Sequence, residues 1–275
     1  TEVALRLEVT PRTPAPPGEV CPGAPDLPFD VTRAVSLEEY TDTVQSCLPG
    51  AVDVAHRLVL EETSDVLLVQ QFSSGDDGAL SLATSPCAEE SDLLACRPSS
   101  RRTARLSLQG LGAGSYRVIA ESRRGNPVGV SAFVREHVAS AAVLFSDRCD
   151  DAFELPEQGG RFIGNTQAVG ADYTSGCDIA LGLTGGARDQ MLKLVLDEPR
   201  RVILDMQGSE YETLLSVRRG PSCPGVEVSG GCSRGDTAQR SYVDLVLEAG
   251  TYFIQIDGFV EEAGSWQLDA YVVDP

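Results

Sequence analysis

Lysine is nearly missing from this chain: Lys193 stands alone among 22 basic side chains, against 41 acidic ones. The resulting net charge of −19 repels phosphate backbones and anionic headgroups, which excludes nucleic acid and charged membrane surfaces as partners. Histidine occurs only at His56 and His137, neither with a cysteine or second histidine at ligand spacing. That excludes a zinc site, and both read as surface or half-buried residues. No run approaches the ~20 apolar residues that span a bilayer. No C-x-x-C pair or C-x-x-C-H motif is present, which removes thioredoxin-like redox chemistry and haem attachment. A basic-then-apolar leader is also missing, so Thr1 reads as the start of a processed or truncated chain. With one Trp and seven Tyr, mostly in strand-like runs, little is left for the exposed aromatic strip expected of a polymer-binding module.

What is present describes a secreted globular protein. The 275 residues suffice for one large domain or two ordinary ones, and 42% hydrophobic with 23% charged residues is too apolar for disorder. Abundant Arg, Ala and Gly beside scarce Lys and Asn point to a high-GC bacterial source. Eight cysteines, an even number without a metal pattern, indicate an oxidising, exported environment.

The cysteine spacings repeat. Cys21, Cys47, Cys87 and Cys96 are separated by 26, 40 and 9 residues; Cys149, Cys177, Cys223 and Cys232 by 28, 46 and 9. A constant register of 136 places LVLEETSDVLLVQQ (58–71) over LVLDEPRRVILDMQ (194–207), Asp53 over Asp189, Cys87 over Cys223 and AGSY over AGTY. The chain is a duplicated domain. Within each copy the period is two. Leu192, Leu194 and Leu196 alternate, as do Val202, Leu204 and Met206, then Val243, Leu245 and Leu247. Tyr252, Ile254 and Ile256 follow, and finally Trp266, Leu268, Ala270 and Val272. Alternation directs these side chains to a shared core and their neighbours outward. Gly and Pro punctuate the runs, so the expected class is all-β, with two tandem β-sandwiches of jelly-roll type. The expected domains are 18–137 and 138–275, preceded by a strand and Pro-rich linker over 1–17. SLEEYTDTVQSC (36–47) is the one helix-like stretch.

Eight cysteines allow 105 pairings, and two self-contained copies reduce this to three per copy. The constant spacing of 9 favours local pairs, Cys87–Cys96 and Cys223–Cys232, leaving Cys21–Cys47 and Cys149–Cys177. Each would contribute on the order of 2–4 kcal/mol by restricting the unfolded chain.

The run from Asp189 to Val273, with its V-x-L strand, ETLLSVRRGPSC, AGTYFIQIDGF and GSWQLDAYV, resembles the bacterial pre-peptidase C-terminal domain. The likeness is greatest to cysteine-bearing tandem versions from myxobacterial surface proteins. It covers about 85 residues of the second copy, and the first copy matches through Asp53, LVLEE, its cysteines and AGSY. The resemblance implies a secreted β-sandwich acting as an accessory module, some members of the family binding calcium or polymeric substrate.

Residues 231–236, GCSRGD, fit three patterns at once: a G-x-S-x-G nucleophile elbow, an Arg-Gly-Asp adhesion ligand and a half-cystine. An elbow needs an acid and then a histidine after the serine, yet both histidines precede Ser233. The first copy carries Pro98-Ser99-Ser100 where Arg234-Gly235-Asp236 stand, so the expectation is that Cys232 is a staple and that no residue is catalytic. GLGAG (110–114) is a hairpin turn and no dinucleotide loop. The paired arginines at 101–102, 123–124, 200–201 and 218–219 read as solvated strand ends. For metal, Asp147, Asp150 and Asp151 around Cys149, with Asp189, form a candidate calcium set. The alternative is an acidic linker, with Asp53 and Asp189 capping turns through backbone N–H groups. Finally, TEVALRLEV puts Val3, Leu5, Leu7 and Val9 on one face, followed by the spacer TPRTPAPPG, while a closing strand is already expected at 129–135. The surplus strand folds back, ends a preceding domain, or adds to the sheet edge of a neighbouring molecule across a spacer of roughly 25–30 Å. The expected function is a non-enzymatic structural or adhesive protein of the cell surface, self-associating through this strand or binding an extracellular protein or polymer. The alternative is an accessory module binding collagen or polysaccharide, with calcium, for an exported enzyme.

Overall fold

The computed structural model describes residues 14–44, 47–84, 92–180, 183–184, 186–235 and 240–275, with the backbone alone at 179, 180, 183 and 184. The chain divides into two compact units between Val134 and Arg135.

The described strands of the first unit are β1 (Arg33–Val35), β2 (Val52–Leu60), β3 (Ser64–Gln71), β4 (Gly78–Thr84), β5 (Leu93–Ser99), β6 (Thr103–Leu111), β7 (Gly114–Ser122) and β8 (Val128–Glu136). They form two sheets, ordered β1-β8-β3-β6 and β2-β7-β4-β5. The second unit continues with β9 (Ala141–Val143), β10 (Phe153–Glu154), β11 (Gly159–Asn165), β12 (Ile179–Ala180), β13 (Leu183–Thr184) and β14 (Gln190–Leu196). β15 (Arg200–Asp205), β16 (Thr213–Arg219), β17 (Val226–Arg234), β18 (Tyr242–Leu247), β19 (Gly250–Gly258) and β20 (Ser265–Val273) complete it. Its sheets are β10-β14-β19-β16-β17 and β18-β15-β20-β11-β9, beside the small β12-β13 pair. The orders β2-β7-β4-β5 and β14-β19-β16-β17 correspond strand for strand, so the duplication read from spacing is a duplication of topology.

Alternation fixes which side of each strand meets the core. Leu192, Leu194, Leu196, Val202, Leu204, Met206, Val243, Leu247, Tyr252, Ile254, Ile256, Trp266, Leu268 and Ala270 form one buried cluster, with Leu245 and Val272 packed against it. The all-β, double-sandwich expectation is met. Details of the hairpins repeat too: the hydroxyls of Tyr116 and Tyr252 each donate, at 2.8 Å, to the carbonyl four residues back, Gly112 and Glu248. The pairs Arg57–Asp26 and Lys193–Glu154 occupy equivalent surface positions.

Two expectations are corrected. Residues 36–44 form no helix; Leu37 and Val44 are buried and anchor an irregular strap over the first sandwich. The disulfides are not local. Cys47 bonds Cys96, Cys149 bonds Cys223 and Cys177 bonds Cys232, in place of the expected Cys21–Cys47, Cys149–Cys177 and Cys223–Cys232. Cys21 is disulfide-bonded as well; Cys87, and with it the expected Cys87–Cys96 pair, lies outside the described residues, although Cys96 is taken by Cys47. The reason is the path of each opening segment. In the second unit, residues 170–178 run across the outer face of the β14-β19-β16-β17 sheet, where Cys232 lies opposite Ser216. The Cys177 N–H donates to Cys232 Sγ at 3.1 Å and the Gly176 N–H to Glu227 at 2.9 Å. Sequence spacing counts residues within a hairpin, whereas the bridges tie a strap to the sheet beneath it.

Candidate functional site

The GCSRGD stretch closes β17. Ser233 Oγ accepts the Tyr242 N–H at 3.0 Å, and its carbonyl accepts the Ser241 hydroxyl at 2.9 Å. Ser233 thus sits in a strand, bonded into the sheet. Arg234 donates to Glu212 at 3.0 Å and lies 3.1 Å from the centroid of the Phe259 ring. This exposed arginine pairs within its own domain; Asp236 lies outside the described residues. Cys232 is the strap's anchor.

His56 departs from the sequence reading. It is fully buried on β2, with neither ring nitrogen hydrogen-bonded, and burial followed by the nearby Arg33 charge pushes its pKa down to about 4. It is a neutral core residue and no acid–base group. His137 is exposed.

Of the four acidic positions singled out for metal, the structure separates two from the others. Asp150 and Asp151 are exposed in a single 3-10 turn, Cys149–Asp151. Half-buried Asp147 accepts the Gly170 N–H at 2.5 Å. Asp189 is fully buried and accepts the Asp172 and Tyr173 N–H groups at 3.0 and 2.9 Å through Oδ2, while Oδ1 has no partner. Burial, with Asp172 and Asp147 nearby, raises its pKa to about 7. Among the described residues, no three His, Cys, Asp or Glu side chains form a group able to hold a metal ion.

Sequence reading missed the companions of Asp189. In the first unit Asp53 pairs with Glu121 across β2 and β7; one step beyond the Gln190–Ile256 pair, the same register sets Asp189 opposite Asp257. Asp257 is 1% exposed, and burial followed by the Asp189 and Asp178 carboxylates raises its pKa to about 8. Gln255, two residues before it and wholly buried, donates from Nε2 to Asp257 at 3.0 Å and to the Tyr173 carbonyl at 3.2 Å. Gln255 and Asp257 alternate with Ile254 and Ile256, so the sequence presents them as outward, solvated positions. The strap that buries them is irregular and has no periodic signature.

A second feature lies on the other sheet of the same unit. A groove of about 540 Å³ beside β9 is lined by Leu144, Ile163, Trp266, Asn165, Glu210 and Gln267, among others. Next to it Leu144 and Phe145 are 73% and 86% exposed, and Ile163 41%. β9 pairs with β11 on one side and ends the sheet on the other. Val3, Leu5, Leu7 and Val9 lie outside the described residues.

No protein-family model and no curated protein matches the sequence. Among solved structures, the chain is similar to the pre-peptidase C-terminal domain of a collagenase from Bacillus anthracis. Identity there is 6% and the TM-score 0.29, over 50% of this chain and 98% of that one. It is also similar to the catalytic domain of ZmpB from Clostridium perfringens with its CBM51-1 and CBM51-2 domains. That match has 8% identity and a TM-score of 0.25, and covers 90% of this chain and 37% of that one. Among the described residues no helix is long and apolar enough to cross a membrane.

Proposed function

We propose that this protein is a non-enzymatic structural or adhesive module of the extracellular space or cell surface, assembling head to tail through its amino-terminal strand. The observation that carries the reading is the exposed Leu144–Phe145 pair at the β9 edge of the second unit. Large contiguous apolar side chains left to water mark contact surfaces, and an edge strand offers unpaired backbone groups to an added strand. The occupant that fits is residues 1–9 of another copy: their alternating Val3, Leu5, Leu7 and Val9 supply the apolar face, and the Pro-rich spacer supplies reach. Because donor and acceptor surfaces differ, the contact is heterologous, and with a rotation between copies that does not close a ring it propagates as a filament. Disulfides throughout both units support an oxidising location. The groups with reactive chemistry, Ser233, His56 and Cys232, are all committed to the fold. A polymer-binding role has one observation in its favour, the groove in which Asn165, Glu210 and Gln267 line an apolar floor.

Light scattering of the full chain against a chain lacking residues 1–17 tests the reading. The full chain should grow in mass with concentration while the truncated chain stays monomeric and folded. A full chain that remains monomeric, or a truncation that unfolds the first unit, overturns it.

A further inference from the structure

We propose that the strap of the second unit is a pH-dependent latch, closed while the carboxyl groups it covers carry protons and lifting reversibly in mildly alkaline solution. The geometry is a lid over buried acids. Asp189 and Asp257 lie beneath the strap, and Asp178 ends it; they are 0%, 1% and 2% exposed. Strap and sheet are joined at the acids themselves. The Asp172 and Tyr173 N–H groups reach Asp189, and the Tyr173 carbonyl accepts Gln255 Nε2, which also donates to Asp257. Burying a carboxylate without a counter-ion favours its neutral form. The charges acting on Asp257 are Asp189 and Asp178, and those acting on Asp189 are Asp172 and Asp147, all acidic. The cations near the strap are turned elsewhere. Arg148 lies 3.5 Å from exposed Asp172, Arg218 of β16 donates to the Thr174 carbonyl, and exposed Arg188 donates to the Gln167 carbonyl. Glu227 of β17 takes the Gly176 N–H, and Tyr211 beside Asp257 is a buried phenol, so neither brings positive charge.

The first unit provides the internal comparison. There Asp53 takes the Thr43 and Val44 N–H groups at 2.7 and 3.0 Å, and the Thr43 hydroxyl at 3.0 Å satisfies its other oxygen. In the second unit the equivalent backbone donors come from Asp172 and Tyr173. The threonine hydroxyl has become a carboxylate, and Asp189 Oδ1 and Asp178 Oδ2 have no hydrogen-bond partner, so nothing offsets a charge on those oxygens. Burial first, and the neighbouring carboxylates after it, raise the pKa of Asp189 to about 7 and of Asp257 to about 8, from 3.8. Lifting the strap returns these groups to water, where they ionise near their ordinary value, so opening releases protons. The stability that closure adds is therefore full below about pH 4 and is lost as pH rises through 7 and 8. The Cys177–Cys232 bond tethers the lifted strap, which closes again when pH falls.

Hydrogen exchange of the full chain in metal-free buffer, followed by mass spectrometry from pH 6 to pH 9, tests the latch. Rates are taken relative to those of an unstructured chain at each pH. Protection of peptides from 170–178 should fall by about tenfold or more across that range, while protection of β20 holds. Asp189→Asn copies the shape of the protonated acid and should cut the fall at least about threefold, and Asp178→Asn should also diminish it. Asp150→Asn with Asp151→Asn, exposed in their 3-10 turn, should leave it whole. Trp266, the only tryptophan, donates its indole N–H to Gln190 at 2.7 Å, next to Asp189, so its fluorescence reports unfolding of this unit and shows at pH 6 that each variant is folded. Strap protection that stays flat in the parent, or that falls only together with β20, overturns the proposal. So does a fall undiminished in both Asp189→Asn and Asp178→Asn, or one that disappears with Asp150 and Asp151.

Discussion

His56 occupies the position that Leu192 fills in the second unit, and the two residues show what one side chain changes within a shared sandwich. Leu192 belongs to the core cluster; His56 sits in the same kind of place with two bare nitrogens. Because burial lowers its folded pKa to about 4 from 6.5, the unfolded chain takes up a proton before the folded one does. The first unit therefore loses stability as pH falls from about 6.5 to about 4, by roughly 2–4 kcal/mol in all. His56→Leu should remove that loss, and at pH 7 should stabilise the unit by about 1–3 kcal/mol because no buried polar atom is left unpaired. Calorimetry of parent and variant from pH 7 to pH 4 measures both effects, and parallel curves would show that His56 is hydrated or charged in the fold. At the same scale, Asp172→Thr should return to Asp189 the hydroxyl donor that Thr43 gives Asp53. The expected gain is about 1 kcal/mol, read from the Trp266 transition.

Among the elements, the straps decide most of what alternation left open. Each opening segment covers an outer sheet face and is stapled there, so cutting Cys177–Cys232 by Cys177→Ala with Cys232→Ala should cost about 2–4 kcal/mol in the second unit. It should also expose Met191, Gln255 and Asp257 to solvent. Peptide mapping without reduction should recover Cys47–Cys96, Cys149–Cys223 and Cys177–Cys232, and the repeat then requires Cys21–Cys87. A Cys223–Cys232 peptide would contradict the strap path. The strands, their inward faces and the duplication were legible because a period of two survives in residues such as Leu192, Leu194 and Leu196. The cysteine pairing was not, since the spacing of 9 between Cys223 and Cys232 is set by hairpin length and carries no information about what lies above the hairpin. Nor was the acidic centre. Asp189 stood out as the start of a strand, but Gln255 and Asp257 matter only because an aperiodic segment covers them, and their contacts with Tyr173 and Asp189 span many residues of chain.

At the scale of the whole molecule, duplication yields two sandwiches with the same sheet order but different chemistry: a buried histidine and a hydrogen-bonded Asp53 in one, an Asp189 whose Oδ1 has no partner in the other. The apolar groove and the β9 edge belong to the second unit, whereas the alternating residues Val3, Leu5, Leu7 and Val9 precede the first in sequence, so the proposed contact joins different parts of two copies. The claim that contact between copies is the protein's function is tested most directly by electron microscopy of the full chain at high concentration. The parent should form unbranched filaments, and Leu144→Asp with Phe145→Asp should leave single, folded particles. Uniform monomers from the parent, or filaments undiminished in the double variant, would contradict the account.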